Sequence, residues 1–306
     1  MPIAVAALGG NAIVSEEDAA AVDLRRAPLA LARLVGLGYD LVVTHGNGPQ
    51  VGQRLVEAHA AGDGHAALDI LDAETVGALG YRLQQSLGNA LRDLGTPRAV
   101  AAVVTQVVVD PEDPAFLKPS KPVGPFYDRA RADALAAERG YAMAEDARGR
   151  GFRRVVASPQ PLEVVEAEAI RALVGAGVVA IAAGGGGIPV FRDAAGRLRG
   201  VEAVVDKDRA SSLLARRLDA DVLVIFTDVP EVRLDFRKPG ERPVRRLSVG
   251  EARSHLGDGQ FPAGSMGPKV EAAADFAEAT GRPAVITFAE RVLDALAGTA
   301  GTTVHA

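Results

Sequence analysis

A short apolar run at residues 178–182 stops in four consecutive glycines, 184–187. The run is partly β-branched, the texture of a strand buried on both faces. Glycines at its end let backbone approach a bound group with no Cβ in the way. Residues 193–200 then have hairpin-turn composition, 201–205 form another apolar run, and Asp206-Lys207-Asp208 opens a stretch of helical composition. Two carboxylates and an ammonium thus fall where a strand is expected to become a helix N-terminus, a position that suits an anion.

The same punctuation recurs along the chain. Residues 3–8 read as a strand ending in Gly9-Gly10-Asn11, and residues 41–44 as a strand ending in His45-Gly46-Asn47-Gly48-Pro49. Helical periodicity covers 19–36, 50–61 and 73–94, and 99–109 reads as one long β-branched strand. This alternation predicts an α/β fold, a three-layer α/β/α sandwich in which right-handed crossovers put helices on both faces of a central, mainly parallel sheet. Prolines and charges crowd residues 111–161, which are expected to form a small inserted lobe or lid. Beyond it the pattern predicts a helix at 162–174, a strand at 221–226 ending in Thr227-Asp228-Val229, and a strand and short helix within 244–256. A helix opening at Gly264-Ser265-Met266-Gly267-Pro268-Lys269, a strand at 283–288 and a helix at 291–296 complete it. In an open parallel sheet, ligands bind beyond the carboxyl ends of the strands, where these glycine and polar turns gather.

Composition narrows the function classes. A net charge of −5 with no dense basic cluster argues against nucleic acid. The absence of cysteine removes disulfides and thiol chemistry. No apolar run reaches the roughly 20 residues of a membrane span, and the N-terminus lacks a signal-peptide pattern, so a cytoplasmic protein is expected. Neither a G-x-G-x-x-G nor a Walker A sequence occurs, which disfavours dinucleotide-binding and P-loop enzymes. Glycine-turn N–H groups, helix N-termini and a few lysines are left to hold phosphates.

The stretches Ala7-Leu8-Gly9-Gly10-Asn11-Ala12, His45-Gly46-Asn47-Gly48-Pro49-Gln50-Val51-Gly52, Thr105-Gln106-Val107-Val108-Val109-Asp110, Lys121-Pro122-Val123-Gly124-Pro125-Phe126, Gly184-Gly185-Gly186-Gly187-Ile188-Pro189-Val190, Val205-Asp206-Lys207-Asp208 and Gly264-Ser265-Met266-Gly267-Pro268-Lys269 together resemble the motif series of carbamate kinase, within the amino-acid kinase fold. The resemblance covers essentially the whole chain, in order. It implies a phosphotransferase with a carboxyl-type acceptor, moving a phosphoryl group reversibly between ATP and carbamate to give ADP and carbamoyl phosphate. It also implies Mg²⁺ arriving with ATP or ADP rather than on a protein metal site, a homodimer, and ATP formation from carbamoyl phosphate in catabolism such as arginine metabolism. One amino-acid-kinase domain over 1–306 is expected, with residues 1–200 on the acceptor side and 201–306 on the nucleotide side.

By that resemblance Lys207 and Lys269 stabilise the transferring phosphoryl and the nucleotide phosphates, with Asp208 holding them by ion pairing. Gly9, Gly10, Asn11, Gly46 and Asn47 would supply backbone and amide donors, with Gly48 and Gly184, Gly185 and Gly186 lining the substrate. Asp206, Thr227, Asp228, Val229, Ser265 and Met266 would contact the nucleotide. Lys121 resembles a lobe lysine that reaches over the acceptor site. Related kinases of the fold carry a lysine two residues before the first Gly-Gly; Ala7 stands there, as in carbamate kinases, and Lys207 would take over its charge. Gln160 stands where a lysine is expected. His45 is expected to be packed rather than to act as a base, because carbamate needs no deprotonation. The competing readings are a kinase of another small carboxylate or phosphonate on the same fold, and a non-catalytic nucleotide-binding regulator.

Overall fold

The computed structural model describes residues 1–9, 26–61, 67–146, 149–262 and 264–306. Its first part alternates β1 (Ile3–Leu8), α1 (Arg26–Gly36), β2 (Asp40–His45), α2 (Gly48–Ala60), α3 (Leu68–Asp93) and β3 (Val100–Ala102). After β4 (Gln106–Val109) comes a lobe of β5 (Lys121–Tyr127), α4 (Arg129–Arg139), β6 (Met143–Glu145) and β7 (Phe152–Val156). The chain returns through β8 (Pro161–Val164) and α5 (Ala167–Gly175) to β9 (Val179–Ile181), the hairpin β10 (Ile188–Arg192) and β11 (Leu198–Gly200), and α6 (Lys207–Arg217). Then follow β12 (Val222–Phe226), the hairpin β13 (Val232–Leu234) and β14 (Arg242–Val244), β15 (Arg246–Ser248), α7 (Val249–Gly257), α8 (Met266–Thr280), β16 (Ala284–Thr287), α9 (Val292–Leu296) and β17 (Thr302–His305).

Among the described residues, eight strands form the central sheet in the order β15-β17-β16-β12-β1-β2-β9-β3. Every neighbouring pair is parallel except β16–β17. Strand side chains alternate between faces, and the β1 residues divide accordingly. Val5 and Ala7 join a core with Ile170 of α5, Leu214 of α6 and Phe276 of α8. Ala4, Ala6 and Leu8 join another with Leu31 of α1, Leu83 of α3 and Val292 of α9. Helices therefore cover both faces, as a sheet buried on both sides requires. Leu31, Leu34, Leu83, Leu87 and Leu91 are fully buried, each contributing about 2 kcal/mol of apolar burial.

Three expectations are corrected. Residues 99–109 are two strands: β3 closes the central sheet, whereas β4 joins a second sheet of order β11-β10-β4-β8. Between them Thr105 turns the chain, its hydroxyl donating to the Val103 carbonyl at 2.8 Å and accepting from the Ala183 amide at 2.9 Å. The helix expected at 162–174 is shorter, because residues 161–164 pair antiparallel with β4. Glu166 then receives both the backbone and the side-chain amide of Gln106, at 2.7 and 2.8 Å. Finally, among the described residues the 201–205 run belongs to no ladder; its one β-type pairing is an isolated bridge from Ala203 to Ala157 at the lobe's base.

The lobe meets the body through a small apolar cluster of Val51 and Leu55 from α2, Leu68 and Leu71 from α3, Val123 and Val156 from the lobe, and Val204. Gly52 packs directly on the Gly124 backbone there; a Cβ at 52 would lie 3.1 Å from the Gly124 Cα.

Candidate active site

Because β12, β1, β2 and β9 are adjacent and parallel, the turns that follow them open at one edge of the sheet. Leu8 pairs with His45 across β1 and β2, and the Gly46 amide donates to the Leu8 carbonyl at 3.3 Å. A Cβ on Gly9 would be 3.1 Å from the Phe226 carbonyl oxygen, so the end of β1 abuts Thr227. Gly10 and Asn11 lie outside the described residues.

The glycine run joins the two sheets, β9 on one side and β10 on the other. Ala183, Gly185, Gly186 and Gly187 all have positive φ, from 46° to 98°, a backbone path that side chains resist. Space excludes them as well. A Cβ on Gly184 would be 2.6 Å from His45 Nε2, one on Gly185 2.6 Å from Asp72 Oδ1, and one on Gly186 2.3 Å from the Val205 carbonyl oxygen. The loop is thus the hub on which the β2 turn, α3 and the start of α6 converge.

At α6, Asp206 is the N-cap: its Oδ1 accepts from the Asp208 amide at 2.9 Å and the Arg209 amide at 3.4 Å. The protein's own carboxylate therefore occupies this helix end, which the sequence marked as an anion seat. Its other oxygen takes Lys121 Nζ of the lobe at 2.8 Å. Burial raises the Asp206 carboxyl, but Lys121, Lys207 and the Asp208 amide together outweigh it and hold the group well below the usual carboxylate range. Asp208 is no cap; it bridges two ammonium groups, Lys207 at 2.5 Å through Oδ1 and Lys269 at 2.9 Å through Oδ2.

These three side chains are 13%, 5% and 13% exposed for Lys207, Asp208 and Lys269, so their charges act in a poorly screened setting. Burial pushes Lys207 down to about 8, with Asp208 opposing and Lys269 adding to the fall. For Lys269 burial also acts downward, but Asp208, with smaller help from Lys207 and Asp206, outweighs it and the net shift is upward. Asp208 is held below its ordinary value because Lys207 and Lys269 overcome the effect of burial. Lys269 stands in the first turn of α8, whose N-cap, Ser265, makes no side-chain capping bond. Of the amides in that first turn, Gly267 already donates to the Pro262 carbonyl at 3.0 Å and Pro268 has none to give, so the charge this helix start presents is that of Lys269.

In the β2 turn, Asn47 Nδ2 donates to Asp72 Oδ1 and, at 2.9 Å, to Thr75 Oγ1. The amide donor expected of Asn47 is therefore engaged inside the protein. Burial raises the Asp72 carboxyl to about 7, the Asn47 bond opposing it. His45 is buried and contacts the Gly46 carbonyl through Nδ1 at 3.2 Å. Burial lowers it to about 4, so it is a neutral, packed ring at pH 7. On the other flank, the Thr227 amide donates to the Thr287 carbonyl at 3.0 Å, Asp228 is exposed, and Met266 packs on the core edge. Gln160 is exposed, its backbone N–H donating to Asp113 Oδ2 at 3.0 Å.

The family model described as "Amino acid kinase family" matches residues 2–287. The chain belongs to the amino acid kinase family. Within it, the chain is 44% identical to the carbamate kinase of Pyrococcus horikoshii, over 98% of each protein. It is 45% identical to that of Trichomonas vaginalis, over 97% of this chain and 98% of the relative. The solved structure of Giardia lamblia carbamate kinase bound to AMP-PNP superposes with a TM-score of 0.90 at 41% identity, covering 99% of this chain and 98% of that one.

Four site residues of this family member carry no local motif. Thr44 meets Ser211 hydroxyl to hydroxyl at 2.6 Å, and Ser211 donates to the Lys207 carbonyl at 2.6 Å, tying β2 to α6. Asp72 and Thr75 sit on the buried face of α3 beside Leu68, Leu71, Val76 and Leu79. Polar residues interrupting an apolar helical stripe were the available signal.

Proposed function

We propose that the chain is a carbamate kinase, transferring a phosphoryl group reversibly between ATP and the carboxylate oxygen of carbamate. The observation that carries this reading is the Asp208 bridge: two buried lysines from two helix starts, held by one carboxylate, beside a glycine hub at the ends of parallel strands. Phosphoryl transfer asks the protein mainly for positioning and charge compensation. A bond forms between carbamate oxygen and the γ-phosphorus, the bond to the ADP oxygen breaks, and no proton moves. The neutral, buried His45 agrees with a reaction that needs no base.

In this reading Lys207 and Lys269 face the transferring phosphoryl and the leaving nucleotide, and Asp208 keeps them at a fixed separation. Gly9, Gly10, Asn11 and Gly46 offer donors to the phosphoryl oxygens, with Gly48 and the glycine hub shaping the floor. Lys121 is 35% exposed on its side chain against 11% for Asp206, so it is free enough to pass from Asp206 to the acceptor. Thr227, Asp228, Val229, Ser265 and Met266 line the nucleotide. Mg²⁺ comes with the nucleotide phosphates, since the two carboxylates at the start of α6, Asp206 and Asp208, are already engaged by lysines. We assign residues 1–306 to one domain, with 1–200, including the lobe at 111–161, on the acceptor side and 201–306 on the nucleotide side. A cytoplasmic homodimer making ATP from carbamoyl phosphate in arginine catabolism completes the proposal; among the described residues no helix is long and apolar enough to cross a membrane.

The test is ATP formation from MgADP and carbamoyl phosphate, with acetyl phosphate alongside. Fast turnover with the first and little with the second is expected. Silence with carbamoyl phosphate in a protein that binds MgADP overturns the reading.

A further inference from the structure

Thr75 donates its one proton to the Asp72 backbone carbonyl at 2.9 Å, so its hydroxyl oxygen can only accept. The Asn47 amide satisfies it with one Nδ2 proton and gives the other to the Asp72 carboxyl. This arrangement fixes which way the amide faces, because the reversed amide would set Oδ1 against the Thr75 lone pairs. Oδ1 is then the atom Asn47 has to offer, and it has no hydrogen-bond partner among the described residues. The backbone of Gly185 lies over it: a Cβ there would be 2.8 Å from both Nδ2 and Oδ1. Only glycine leaves that face of the amide uncovered. Three residues on, in the first turn of α2, both amide atoms of Gln50 are buried with no partner among the described residues. Buried polar atoms without partners mark a place where something polar binds.

Resting on the carbamate kinase reading, we propose that Asn47 Oδ1 accepts a hydrogen bond from the amino group of carbamate, with Asp72 and Thr75 as its positioning residues. The contact separates carbamate from acetate. The two anions share a carboxylate and a shape, but acetate presents a methyl where carbamate presents N–H, and a methyl leaves a buried acceptor unpaired. Asn47 therefore contributes an acceptor to the site, not the donor its place in a glycine turn suggests.

The experiment compares kcat/KM for carbamoyl phosphate with the inhibition constant of acetyl phosphate competing against it. For Asn47→Ala, kcat/KM is expected to fall about ten- to hundredfold, while the acetyl phosphate constant stays within about threefold, as it must for a ligand that never made the bond. Thr75→Val, close in shape, keeps the fold and loosens the amide; carbamoyl phosphate is expected to lose about three- to tenfold with acetyl phosphate again unmoved. Equal losses for both ligands in either variant would make Asn47 a structural or phosphate-binding residue and overturn the proposal. A wild-type protein that makes no ATP from carbamoyl phosphate would instead overturn the reading beneath it.

Discussion

Gly186 offers the most direct test of the glycine hub. Its φ is +98°, and an added Cβ would fall 2.3 Å from the Val205 carbonyl oxygen, 2.9 Å from the Val205 carbon and 3.3 Å from the Lys207 amide. Ordinary contact begins near 3.4 Å, so Gly186→Ala requires about 1 Å of separation between the loop and the start of α6. Val205 is 1% exposed and packed in the core, which leaves the loop and the Lys207 end to move. An L side chain in a left-handed conformation costs roughly 1–2 kcal/mol, and overpacking adds about 1–3 kcal/mol. The functional loss should be larger: a misplacement of about 1 Å costs on the order of a hundredfold in rate. The assay is kcat/KM for ATP formation from MgADP and carbamoyl phosphate, well below the melting temperature of the variant. Gly196→Ala is the control, since Gly196 also has positive φ (+76°) but nothing within 4 Å of its Cβ position. It should lose stability by about 1 kcal/mol and no activity. A folded Gly186→Ala protein within about threefold of wild type would refute the reasoning.

Lys269→Ala should lower kcat by about a hundredfold or more while weakening MgADP binding by only about tenfold; equal losses in kcat and affinity would make Lys269 a binding residue alone. Gly52→Ala must displace the Gly124 backbone by a few tenths of an ångström, and with it the lobe strand carrying Lys121. KM for carbamoyl phosphate is expected to rise about three- to tenfold with MgADP affinity unchanged, and an unaltered KM would detach the lobe from acceptor binding. The Asp72 carboxyl, raised by burial from 3.8 to about 7, holds a proton in the folded protein that the unfolded chain releases between those values. Stability should therefore decline as pH rises across that window, and urea titrations of Asp72→Asn should lack that part of the slope.

Elements whose apolar pattern answers one question were legible in the chain itself. β1, β2, β9, β12 and β16 are short, continuous apolar runs with turn residues at their ends, and each lies within two residues of its expected place. The segment 162–174 was not, because Leu162, Val164 and Val165 suit a strand or a helix equally; pairing with β4 decided it. The break in 99–109 has the same origin, a Thr105 side-chain bond to a residue 78 positions away. At the site, the lysines stand out because glycine or acidic residues surround them in sequence. Which carboxylate caps and which bridges does not, since Asp206 and Asp208 differ only in where α6 begins. Asn47 showed its position but not its polarity, which depends on a hydroxyl 28 residues further on.

The Asp208 bridge also bears on the balance between the two directions of the reaction. With Lys207 and Lys269 sharing one carboxylate, the cluster carries one net positive charge instead of two, and Asp208 offsets the repulsion between the two ammonium groups. Folding has met the entropic cost of ordering the two long side chains, so an incoming phosphate need not organise them. A departing one does not strand two bare cations. In the proposed reading Asp208 is a resident counter-ion that would cap the affinity for whichever nucleotide binds. A catalyst of an easily reversed transfer gains from that moderation, because neither ADP nor ATP becomes its own trap.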